Sequence, residues 1–176
     1  MQQVVLSVVG SDRPGLTEQL ARAVLSAGGN WLEGHLSRLG GLYVGSVLVA
    51  LEADGVEALR AAVGAIDAQG LEVRIAEVQD PAAGDGQGET LRFGLVGQDR
   101  PGIVRQVTAV LAGLDVNIET FDSHISAEPH SGAPLFHMEA ALRLPPGLRA
   151  EVVQDALEAI SAEVMVDVSI SPPARG

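Results

Sequence analysis

The stretch at residues 8–16, "VVGSDRPGL", returns at residues 95–103 as "LVGQDRPGI", and the meaning of that repetition decides the fold. Gly10 falls on Gly97 at an offset of 97 − 10 = 87, and the same offset pairs Asp12 with Asp99, Arg13 with Arg100, Pro14 with Pro101, Gly15 with Gly102 and Asn30 with Asn117. Chance could supply one shared four-residue word. It does not also place an asparagine 18 residues after each aspartate, so the chain holds an internal repeat.

The residues around each turn say what is repeated. "QVVLSVV" at 3–9 is a β-branched run of strand length, and Leu16, Leu20, Ala23, Val24 and Ala27 then form one face of a helix, repeated as Ile103, Val107, Val110, Leu111 and Leu114. Gly28-Gly29 ends the first helix, and Gly40-Gly41 joins two strand-like segments as a hairpin. After Asp54, read as a cap, Val56, Leu59, Val63 and Ile66 make a second amphipathic helix before the closing strand "LEVRIAEV" at 71–78. The second half repeats this order, with Val152, Val153, Ala156, Leu157 and Ile160 as the apolar face of its last helix. The sequence therefore predicts an α+β protein of two ferredoxin-like βαββαβ domains, each an antiparallel sheet with helices on one face. The boundaries expected are a domain at 1–79, a linker at 80–89, a domain at 90–171 and a tail at 172–176. Each unit of this size makes a modest core and presents strand edges, so side-by-side pairing of the two and a homodimer are expected.

Composition narrows the chemistry. The 23 acidic residues outnumber the 11 basic ones for a net charge of −12, which repels a phosphate backbone, and direct nucleic-acid binding is not expected. Every basic residue is arginine, so a Schiff-base or phosphate-loop lysine is excluded; the absence of cysteine excludes disulfides and thiolate chemistry. With neither a charged-then-apolar leader nor an apolar run of membrane-spanning length, a cytoplasmic location is expected.

The turn itself has two readings. Asp12 can cap the helix that follows, with Pro14 in its first turn, which makes the motif a folding device. Alternatively, Gly15 opens the helix N-terminus to a ligand carboxylate, while Asp12 receives an ammonium group and Asn30 offers an amide that both donates and accepts. The pair would suit an α-amino acid.

The strand, "GSDRPGL", amphipathic helix, "GGNWLE" strand, hairpin, helix and strand together resemble an ACT domain, the small-molecule-binding regulatory module of amino-acid metabolism. The resemblance covers both halves apart from the linker and the tail, and the tandem arrangement is similar to the glycine cleavage system transcriptional repressor family. It implies a ligand held between two domains, by Gly10, Asp12 and Gly15 with Asn117, and by Gly97, Asp99 and Gly102 with Asn30; Arg13 and Arg100 of the same turns complete the expected set. Two departures stand out. Trp31 occupies a position where an aliphatic residue is expected, and the longer hairpin loop around "ISAEPHSGAP" resembles the ACT domain of formyltetrahydrofolate deformylases, although no formyl-transferring domain is expected.

Other chemistry finds no convincing residue set. His124, His130 and His137 are spread over a hairpin without a nearby cysteine and are read as exposed, not as metal ligands. Asp122 near His124 lacks an activated nucleophile, and Glu33 and His35 are read as a solvated strand face. No catalytic residues, metal or cofactor are expected. The favoured function is a sensor that binds a small amino acid, glycine among the candidates, and acts on a protein partner; the alternative is a regulatory subunit acting in trans on a folate or amino-acid enzyme.

Overall fold

Alternating apolar residues in β1 (Gln2–Ser11) send Val4, Leu6 and Val8 to one side of a sheet, where each is buried, and leave Gln3, Ser7 and Val9 on the other. This computed structural model describes residues 2–78, 88–164 and 166–171. The chain divides into two units, Met1–Pro81 and Ala82–Gly176. Residues 80–87 of the expected linker and the expected tail 172–176 lie outside the described residues.

In the first unit β1 is followed by α1 (Leu16–Ser26), β2 (Asn30–Leu39), β3 (Leu42–Leu51), α2 (Gly55–Asp67) and β4 (Leu71–Glu77). The strands form one antiparallel sheet in the order β2-β3-β1-β4. The second unit repeats the sequence as β5 (Thr90–Gln98), α3 (Ile103–Gly113), β6 (Asn117–Ala127), β7 (Pro134–Arg143), α4 (Ala150–Val164) and β8 (Val166–Ser171), with the sheet order β6-β7-β5-β8. Both units are βαββαβ repeats, as the residue pattern predicts.

The helical stripes bury as read. Leu16, Leu20, Ala23 and Val24 of α1 pack with Val56, Leu59, Val63 and Ile66 of α2 over β1 and β3. In the second unit Ile103, Val107 and Leu111 meet Phe93, Met138, Leu142, Val153 and Leu157. Val152 departs from expectation: it is 38% exposed, because the inward face of α4 runs through Val153 and Leu157, one turn apart, and its neighbour in sequence is rotated away from them.

Backbone devices close the first hairpin and the first helix of each unit. Gly40 and Gly41 both have positive φ, 59° and 87°, which is what a two-residue hairpin turn between Leu39 and Leu42 requires. After α1, the Gly29 amide donates to Val24 O at 2.9 Å and the Gly28 amide to Leu25 O at 3.0 Å, with Gly28 at φ 71°. The second unit builds the same cap through Val116 to Leu111 O at 3.0 Å and Asp115 to Ala112 O at 3.1 Å. There the left-handed residue is Asp115, at φ 54°.

Candidate functional site

Each repeated turn starts where the central strand ends. The Asp12 amide donates to Gly41 O at 3.4 Å, tying the turn to the neighbouring hairpin, and in the second unit the Asp99 amide donates to Pro134 O at 3.0 Å. Gly15 has φ 90° and ψ −1°, and Gly102 has φ 96° and ψ −5°. These are the angles of the third residue of a type II turn, whose second residue is commonly proline, so Pro-Gly is dictated by the backbone. The helices begin only after it, at Leu16 and Ile103, and neither has a side-chain cap.

This corrects the capping reading of Asp12 and of Pro14. The left-handed glycine interrupts the helical path, so both residues lie ahead of the first helical turn and the aspartate cannot serve its amides from a cap position. Asp12 Oδ2 is instead 3.2 Å from Arg38 Nε on β2. Asp99 has no ion pair among the described residues.

The first intrahelical bonds run from Gln19 N to Gly15 O and from Gln106 N to Gly102 O, each 3.0 Å, leaving the preceding amides at each N-terminus for an outside acceptor. A Cβ placed on Gly15 or Gly102 would meet nothing within 4 Å, so the space over both turns is open. Beside the second turn lies a cleft of about 530 Å³ lined by Asp99, Arg100, Gly102, Ile103, Val104, Arg105, Thr108 and Phe136.

The arginines of the two turns fold inward. Arg100 Nη2 donates to Gln106 Oε1 at 3.1 Å. At the same offset in the first unit, Arg13 Nη2 and Gln19 Oε1 are buried without a hydrogen-bond partner among the described residues. The surroundings differ further. Thr17 Oγ1 and Tyr43 Oη share a 2.6 Å hydrogen bond, whereas Val104 and Phe136 take those places in the second unit. Glu18, in the first turn of α1, is engaged by Arg22 Nη2 at 2.7 Å, a hydrogen bond that holds its carboxyl below the ordinary carboxylate range. Its counterpart is Arg105, so the positive end of the α3 dipole meets no acidic residue in its first turn.

The expected asparagines do not lie at their own unit's turn. Asn30 pairs with Ala50, which pairs with Gln3 at the opposite end of the sheet from Asp12. Asn117 pairs with Arg143 and hence with Thr90, again at the far end. Gly10 has a packing reason of its own: a Cβ there would lie 2.4 Å from Gly70 O and 2.8 Å from Leu71 Cα. Gly97 stands at the equivalent register position, opposite Val166. Trp31, half-buried, packs against the first core and its ring fills the space above Gly34, where a Cβ would come within 2.8 Å of it.

The hairpin histidines are more ordered than their spacing suggests. His124 and His137 are direct cross-strand partners with rings stacked at 4.6 Å and 1° apart in plane, and His137 Nε2 is 2.7 Å from Ser126 Oγ. The β6–β7 loop is closed by Glu128, whose carboxylate accepts from the Ser131 amide at 2.6 Å. Among the described residues no three His, Cys, Asp or Glu side chains form a metal-ligand cluster, and no helix is long and apolar enough to cross a membrane.

Comparison with known proteins shows what the chain is similar to. Residues 2–76 match the model of the ACT domain family. An unknown protein from Galdieria sulphuraria is 28% identical, with a TM-score of 0.81 over 98% of this chain and 99% of its own. A candidate glycine cleavage system transcriptional repressor shares the fold at 20% identity, with a TM-score of 0.68 over 97% of this chain and 96% of its own. No curated protein matches the sequence.

Proposed function

We propose that this protein is a non-enzymatic, cytoplasmic regulator that binds a small amino acid at its Pro-Gly turns and passes the binding event to a protein partner. The control exerted is on amino-acid metabolism, with expression of the glycine cleavage system the favoured case and glycine the first ligand to test. The ACT match over residues 2–76 and the tandem fold shared with a candidate repressor support this reading.

The observation that carries it is the second turn. An uncapped helix N-terminus with Arg105 in its first turn attracts a carboxylate, Asp99 stands beside it for an ammonium group, and the cleft of about 530 Å³ admits a small zwitterion. The first turn offers the same amides beside Asp12, with Glu18 and Arg22 already engaged with each other. The net charge of −12 favours action through a protein over direct contact with nucleic acid. Calorimetry of the intact chain against the twenty amino acids tests the proposal: saturable binding of at least one, with affinity lost in Asp99→Asn, is expected, and no binding of any would refute it.

A further inference from the structure

We propose that the open sheet face of the second unit is a separate binding site, shaped for a small basic α-amino acid. The strand register sets two adjacent rows across this face: Thr120–Ala141–Arg92–Ser171, and Asp122–Glu139–Gly94–Ser169. Gly94, Ala141 and Ser169 leave the middle of the sheet almost without side chains, and a Cβ on Gly94 would come within 2.6 Å of Ser169 Oγ. The result is a depression of about 720 Å³ walled by Arg92, Asp122 and Glu139.

The charges around it are arranged as a folding device would not arrange them. Asp122 and Glu139 are direct cross-strand partners, and like charges at directly opposed positions destabilise a sheet. Arg92 stands one row away, diagonal to Glu139, yet no ion pair or hydrogen bond joins any of the three to another described side chain. Two carboxylates and one guanidinium leave the site with a net charge of −1. A ligand with one carboxylate and two cationic groups neutralises it: the carboxylate on Arg92, and the α-ammonium and side-chain cation on Asp122 and Glu139. Lysine and arginine have this composition. The first unit supplies a comparison within the same chain, because the corresponding register positions hold Val5 for Arg92, Ser46 for Glu139 and His35 for Asp122. The repeated turn is shared by both units, and this constellation is not.

The test is a titration of the intact, isotopically labelled chain with L-lysine and L-arginine, followed by amide chemical shifts. Saturable shifts at Gly94, Ala141 and Ser169, without matching shifts at 99–105, are expected. Cadaverine lacks the carboxylate and norleucine lacks the side-chain cation, so each should bind about tenfold more weakly or worse, as should the Arg92→Gln and Glu139→Gln variants with lysine. Asp99→Asn should leave the lysine response at the sheet face intact, which separates this site from the turn. Cadaverine binding as tightly as lysine, lysine shifts confined to the turn, or the absence of saturable shifts on the sheet face would each overturn the proposal. If no amino acid perturbs the turns, the sheet-face readout still stands alone.

Discussion

Replacing Asp12 and Asp99 singly with asparagine separates their structural and binding roles, because the two aspartates differ in their surroundings. Asp12 is 35% exposed and paired with an Arg38 that is 71% exposed, an arrangement worth about 0.2–1 kcal/mol. A unit of this size moves by roughly 4–8 °C per kcal/mol, so Asp12→Asn should lower the melting temperature of its unit by roughly 1–8 °C. Asp99 has no such pair among the described residues, and Asp99→Asn should leave stability unchanged within error. Binding should respond alike at both turns. A charge-assisted hydrogen bond to an ammonium group contributes about 1.5–3 kcal/mol, so its loss should weaken the ligand roughly tenfold to a hundredfold at either turn. Scanning calorimetry reads the first effect and isothermal titration, with the ligand found in the amino-acid screen, the second. A ligand held with unchanged affinity by both variants would leave the repeated turn a folding device. Equal destabilisation by both substitutions would refute the ion-pair reasoning.

The Gly28 and Asp115 caps make a matched pair. The left-handed conformation costs an L-residue about 1–2 kcal/mol, partly offset by about 0.4–1 kcal/mol from a less flexible unfolded chain, so Gly28→Ala should destabilise by roughly 0.5–1 kcal/mol. Asp115→Gly should be neutral to stabilising by a few tenths of that scale, and urea unfolding of both variants checks the signs. Glu128 accepts hydrogen bonds from the Ser131 side chain and amide, which lower its carboxyl pKa. Those bonds are present above the ordinary carboxylate range and are lost as pH falls through the lowered value, so the Ser131 amide shift should titrate with a midpoint below 4.5, and a midpoint at or above it would contradict the geometry. The open sheet face of the first unit, with Val9 40% exposed, motivates the expectation of a homodimer, so light scattering should give twice 18.2 kDa and a monomer at micromolar concentration would refute it.

How much of this was legible in the sequence depended on whether a feature is periodic. The offset of 87 and the apolar stripes lie in the residues themselves, and they yielded the element order and most of both cores. The Asp12 cap was misread because a positive φ at Gly15 is a property of the backbone path, and Asp-Arg-Pro-Gly fits a helix start equally well on paper. Facing across the outer strands was hidden by an irregularity. The register shifts between Trp31 and Glu33 and again between Ile118 and Thr120, and one extra residue moves every later side chain to the other face. The stacking of His124 on His137, and the opposition of Asp122 to Glu139, both follow from that shift and from a loop length whose pairing composition does not reveal. Trp31 was noticed as unusual, but only the structure shows Gly34 making room for its ring.

The chain's one tryptophan and one tyrosine, Trp31 and Tyr43, both fall in the first unit, and all three phenylalanines, Phe93, Phe121 and Phe136, fall in the second. Excitation of indole or phenol therefore interrogates one unit while the other stays dark. Tyr43, bonded to Thr17 just past the first Pro-Gly turn, reports on events at that turn, and Trp31, seated near the other end of the same sheet, reports on the cohesion of that core. Circular dichroism in the peptide region sums both units. A denaturation curve followed by indole emission that precedes or trails the dichroism curve would thus assign a separate melting event to each unit without a single substitution.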